Sequence, residues 1–99
     1  MGMDYYWAGS ASYPRFNKEL SAVAAVFGGF RMDDGLAFPV GTHEILVKWF
    51  NDPYDDYTLE ETKIIWEHVQ QHPEIEEISE QIWYELKTNC EFGYGWSIY

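Results

Sequence analysis

The chain is poor in three things, and each absence narrows its chemistry. It has a single cysteine, Cys90, so no intramolecular disulfide can form and nothing points to an oxidising compartment. It has only six lysines and arginines against 17 aspartates and glutamates. A domain that grips nucleic acid directly, or settles on an anionic membrane surface, needs the opposite balance. Long apolar runs are also missing: no stretch approaches the roughly 18 to 20 residues that span a bilayer. The N-terminus lacks a basic region followed by an apolar run, so no ordinary signal peptide is expected. Gly2 is not followed by the Ser or Thr that myristoylation requires, because that position is Tyr6. These features together predict a cytoplasmic protein.

What the chain has in excess is negative charge and aromatic rings. Its 99 residues carry a formal charge of −11, and the charge is unevenly placed. Residues 1–51 hold five acids against four bases, a net of −1, whereas residues 52–99 hold twelve acids against Lys63 and Lys87, a net of −10. Self-repulsion of this size opposes compaction and speaks to partners and solubility rather than to fold. Hydrophobic content of 46% separates the chain from acidic disordered tails. Aromatic content of 19% lets few side chains close a core, and leaves rings for the surface. The length suits one domain spanning residues 1–99.

Periodicity predicts the elements. Met3 to Ala8 reads as a strand with Tyr5 and Trp7 on one side. Phe16, Leu20, Val23 and Phe27 recur at helical spacing from Pro14 to Phe27, with Gly28-Gly29 as the stop. Turn signals at Asp33-Asp34-Gly35 and Pro39-Val40-Gly41 bracket short extended pieces at Phe30–Met32 and Leu36–Phe38. His43 to Phe50 alternates Ile45, Val47 and Trp49 against Glu44, Leu46 and Lys48, the pattern of a well-buried strand. Thr58 and Glu61 form a T-x-x-E capping box that opens a helix. Pro73 then starts a third helix to about Thr88, with Ile75, Ile78, Ile82 and Leu86 as its inward stripe. Phe92, Tyr94, Trp96 and Ile98 alternate as a last strand. The expected architecture is α+β: a small, mostly antiparallel sheet against about three helices, in the order β-α-β-β-α-α-β.

The inward stripe of the third helix leaves Glu76, Glu77, Glu80 and Tyr84 on the opposite face, flanked by Glu74 and Glu85, with only Lys87 to offset them. Helix residues three or four apart sit about 5 to 6 Å apart at Cβ, an interval comparable with the charge spacing of a nucleic-acid strand. A helix with carboxylates at that interval suits a basic groove built for phosphates. Asp52, Asp55 and Asp56, with Tyr54 and Tyr57, are expected to extend the patch, and Tyr57 and Tyr84 are the candidate pocket-filling anchors. Tyr99 and one or two tryptophans join the candidate exposed rings.

Other chemistry finds less support. His68 and His72 stand at i and i+4, but Glu67 is misplaced for an H-E-x-x-H zinc site, and a catalytic zinc wants three protein ligands. Cys90 and His43 form a conceivable nucleophile pair that nothing in the sequence brings together. Asp52-Pro53-Tyr54-Asp55-Asp56 lacks the alternating acids and central glycine of an EF-hand loop, and Gly28-Gly29 and Gly93-x-Gly95 are not phosphate-binding fingerprints. No catalytic residue, metal or cofactor is assigned.

In size, charge and aromatic content the chain resembles the small acidic inhibitors of phages and mobile elements, such as anti-restriction and anti-CRISPR proteins, and the bacterial immunity proteins. The likeness is one of composition and aligns no residues. It implies a non-enzymatic inhibitor, monomeric or homodimeric, that occupies a basic, nucleic-acid-binding protein; the acidic face and loop read above make Asp55, Asp56, Tyr57, Glu74, Glu76, Glu77, Glu80 and Tyr84 the expected contact residues. The alternative expectation is a structural or adaptor subunit associating through aromatic surface. A small metal-dependent or cysteine enzyme using His68, His72 or Cys90 comes third.

Overall fold

Phe16, Leu20, Val23 and Ala24, spaced at four, three and one, are all buried, and a helix is the conformation that puts such a set on one side. In the computed structural model, which describes residues 12–97, they form the inner face of α1 (Ser12–Val26). The Gly29 amide returns to the Ala24 carbonyl at 2.9 Å, and Gly28, at φ 82°, takes the left-handed conformation that closes the helix. The remaining elements are β1 (Phe30–Met32), β2 (Gly35–Ala37), α2 (Glu44–Asn51), α3 (Leu59–Val69), α4 (Glu74–Ile78) and α5 (Glu80–Phe92). Five helices and one two-stranded antiparallel sheet thus make up the described residues. The strand expected at Met3–Ala8 lies outside them.

β1 and β2 pair in the register Phe30 to Ala37, Arg31 to Leu36 and Met32 to Gly35. The outer side of β2 is met by one side chain. Asn51, at the end of α2, accepts from the Leu36 amide at 2.7 Å and donates to the Leu36 carbonyl and to Val47 O, each at 3.0 Å. Its carboxamide takes the place of a third strand.

Three sequence expectations give way. His43–Phe50 is not a strand: Leu46, Trp49 and Phe50 are buried while Ile45 and Val47 are only half-buried, so the sequence obeys the helical period and the alternation is incidental. His43 confirms the boundary by accepting the Ile45 amide at 3.1 Å as the N-cap of α2. The third helix is two helices. Ser79, at φ −152° and ψ 97°, breaks it, caps α5 by accepting from Ile82 N at 3.2 Å, and donates its hydroxyl to the Glu19 carboxylate of α1. The apolar stripe survives the break, with Ile75, Ile82 and Leu86 fully buried and Ile78 packed at the core edge. The last strand is reduced to one bridge. Phe92 belongs to α5, Gly93 at φ 77° ends that helix, and only Trp96 pairs, antiparallel, with Tyr57; Ile98 and Tyr99 lie outside the described residues. Thr58 and Glu61 do form the expected capping box, at 3.1 and 2.9 Å.

Trp96 closes the core. Its ring stands edge-on to Trp49 at 5.2 Å and stacks on Phe16 at 6.2 Å. The indole N–H donates to Pro53 O at 2.8 Å, and the backbone N–H is shared between Tyr57 O at 3.1 Å and Thr62 Oγ1 at 2.9 Å. The approach to Tyr57 needs the preceding glycine, because a Cβ on Gly95 would lie 2.0 Å from the Tyr57 carbonyl oxygen. Gly95→Ala is therefore expected to destabilise the fold by about 1 to 3 kcal/mol, and Trp96→Ala by about 3 to 5 kcal/mol. Urea unfolding checks both, and an unchanged midpoint for Gly95→Ala would contradict the close approach.

Candidate functional site

The glutamates expected at the site fall where two helices begin. Glu74, Glu76 and Glu77 occupy the first turn of α4, and Glu80 opens α5. Carboxylates there face the partial positive charge of unsatisfied amides, so local physics favours them one by one even though they repel one another. The break at Ser79 turns what would be a straight row into a corner, with two short acidic turns adjoining. Glu77 and Glu80 are exposed there, and among the described residues no basic side chain pairs with them. Glu74 has His72 Nδ1 at 3.7 Å.

Tyr84 lies one turn along α5 from Glu80. Its ring is exposed, its hydroxyl donates to the Glu76 carboxylate, and Lys87 Nζ stands 5.8 Å from the ring centroid. Glu76, Glu80 and Tyr84 are thereby brought together, with the tyrosine held against the corner. The hydrogen bond to Glu76, and then the Glu76 charge, push the Tyr84 phenol above its ordinary value. Glu85, read in the sequence as a flank of the exposed face, is instead buried.

Asp55, Asp56 and Tyr57 sit elsewhere. α3 packs along α5, and the Tyr57–Trp96 bridge ties the start of α3 to the segment beyond the end of α5. The α4–α5 corner is at the other end of α5, whose 13 residues span about 20 Å at 1.5 Å per residue. The sequence expectation of one continuous acidic patch is therefore corrected to two sites at opposite ends of a helix pair. Asp55 is also partly neutralised, with Lys48 Nζ at 3.3 Å, and Asp56 accepts from Ser97 Oγ at 2.6 Å. Tyr57 is only 4% exposed. Its hydroxyl donates to Asp52 O at 2.5 Å, Lys48 Nζ lies 5.0 Å from its ring centroid, and burial pushes its phenol upward. It is a core residue and cannot fill a partner's pocket. Its burial was hidden because its partner, Trp96, comes almost at the end of the sequence.

The remaining candidates are also placed. His68 uses Nδ1 against Ile64 O at 2.8 Å and faces the ring of His43 at 5.6 Å, whereas His72 stands edge-on to Phe27 at 4.9 Å. Among the described residues no group of three or more His, Cys, Asp or Glu side chains is arranged to hold a metal ion. Burial pushes the Cys90 thiol up, against a smaller opposing effect of Lys63, which disfavours the thiolate a nucleophile needs. Of the rings expected at the surface, Tyr54 and Tyr84 are exposed, joined by Phe92 and Tyr94. Trp49 and Trp96 are buried and Trp66 and Trp83 half-buried. Phe30 and Met32 are also exposed, which the sequence does not signal, because Asp33-Asp34-Gly35 beside them specifies a turn and nothing more. No helix among the described residues is long and apolar enough to cross a membrane.

No protein-family model matches this chain, nor does any curated protein or solved structure.

Two titrations test the electrostatics. Tyr84 should lose its proton above the ordinary tyrosine value, near 10, and Glu76→Gln should lower that midpoint, as read from its ring carbons by NMR; an unmoved midpoint would show that the bond is not held in solution. Asp55 is depressed first by the Asp56 amide, at 2.8 Å, and then by Lys48. Its contribution to stability is thus complete above the unfolded aspartate value of about 3.9 and fades as pH falls through the lower folded one. Lys48→Met should raise the Asp55 midpoint only part of the way, because the amide remains.

Proposed function

We propose that the protein is a non-enzymatic binder that occupies a basic, nucleic-acid-binding surface of another protein, and that the α4–α5 corner makes the contact. The observation that carries this reading is the corner itself: Glu77 and Glu80 exposed and without a basic partner among the described residues, Glu74 and Glu76 beside them, and Tyr84 held in place by Glu76. Glu74 and Glu77, three apart within α4, keep the helical interval that suits a phosphate-binding groove, and Glu80 adds its charge from across the break at Ser79. Tyr84 supplies an aromatic anchor within the acidic field. Inhibition is by occupancy, and the field of a −11 chain speeds encounter with a basic target. Asp55 and Asp56, at the other end of α5, steer at long range instead of joining the contact.

A second reading, an adaptor or homodimeric subunit, is favoured by Phe92 and Tyr94, exposed just where α5 ends. Mass in solution separates the two: a dimer indifferent to salt supports the adaptor.

The test is capture from the native cell with washes of rising salt. The partner should be retained near 0.1 M, where charges are screened over about 10 Å, and released towards 1 M, where the length is about 3 Å. Glu77→Lys with Glu80→Lys removes the corner charge without touching the Glu76–Tyr84 bond, and should abolish capture while unfolding normally. Unchanged capture by the folded double variant would rule the corner out.

A further inference from the structure

The hairpin carries a second recognition feature. In the β1–β2 register, Phe30 faces Ala37 and Met32 faces Gly35, and cross-strand partners share a face of the sheet. That face therefore has two large side chains on β1 and almost nothing on β2: a ledge with a wall on one side. Phe30 and Met32 are 55% and 52% exposed, so the wall is not covered by the core. Next to it lies an open groove of about 290 Å³ lined by Met32, Asp34, Gly35, Leu36, Ala37 and Asn51. The Asn51 carboxamide is committed to the Leu36 backbone and Val47 O, which fixes one side of the groove. A Cβ on Gly35 would lie 2.5 Å from Asn51 Oδ1, so the clamp requires a glycine there. Asp34 is the charged group of the lining, and it is exposed, with no basic side chain among the described residues paired to it.

We propose that this groove receives a lysine or arginine side chain of the basic partner, its methylenes along Met32 and Ala37 and its cation at Asp34. An apolar trough with one carboxylate complements a long aliphatic stem ending in positive charge, and a chain with an eleven-charge acidic excess draws such side chains to it. The inference rests on the proposed function for the nature of the partner, but it concerns a different surface from the α4–α5 corner.

The probe is a doubly blocked Gly-Lys-Gly peptide, with Gly-Arg-Gly and Gly-norleucine-Gly versions, titrated at low salt into the isotope-labelled full chain while amide shifts are followed. The Lys and Arg peptides should shift Gly35, Leu36 and Ala37 saturably, and the norleucine peptide should not. Asp34→Asn should weaken the effect about two- to fivefold, the range of one exposed ion pair, and Glu77→Gln with Glu80→Gln should leave it unchanged. The proposal is overturned if the hairpin amides do not shift, if norleucine shifts them equally, or if Asp34→Asn changes nothing. In that event, capture that still depends on Glu77 and Glu80 would leave the proposed function standing, whereas loss of that dependence would remove it too.

Discussion

The packing of Trp96 is the constraint on which the other elements depend. Its ring meets α1 through Phe16 and α2 through Trp49, its indole nitrogen fixes the loop at Pro53, and its backbone fixes the start of α3 at Tyr57 and Thr62. One residue late in the chain thus joins segments from almost every earlier part. Large aromatic side chains make this possible in a small protein, because each buries enough area to serve several neighbours. The same bridge fixes the polarity of the α3–α5 pair, and with it the separation of the Asp55–Asp56 loop from the α4–α5 corner.

The acidity and the fold are compatible because so many carboxylates are bound into the architecture at helix starts. Glu61 completes the capping box of α3, Glu19 accepts from the hydroxyl of the residue that begins α5, and Glu76 holds Tyr84. Glu77 and Glu80 benefit only from the nearby helix starts, a contribution of a few tenths to about 1 kcal/mol each. They have little to do at home and much to offer a basic neighbour.

What could be read in the sequence was what local rules decide. α1, the hairpin and the capping box of α3 each rest on signals within one turn or one strand pair, and the stripe of Ile75, Ile78, Ile82 and Leu86 faces the core as its spacing implies. α2 was misread because Ile45, Val47 and Trp49 satisfy a period of two while Leu46, Trp49 and Phe50 satisfy the helical one, and eight residues are too few to separate them. The break at Ser79 has no capping-box partner, since Ile82 stands where a glutamate would mark it, and it is fixed by Glu19 from a distant helix. Gly93 and Gly95 fit the alternation of a strand in the sequence, yet the first closes a helix and the second admits a backbone. The glutamates of the candidate site were legible from charge alone; the burial of Tyr57 and Glu85 and the groove at the hairpin depend on contacts between remote segments.

The Asn51 clamp has a consequence for how safely the molecule can display apolar surface. A short hairpin with Phe30 and Met32 in solvent offers both sticky side chains and an open ladder on which identical chains could stack. With the carboxamide occupying the Leu36 backbone, β2 can no longer serve as a template, and β1 alone has three residues. The protein can therefore keep that ring and thioether available to a foreign surface without polymerising on itself.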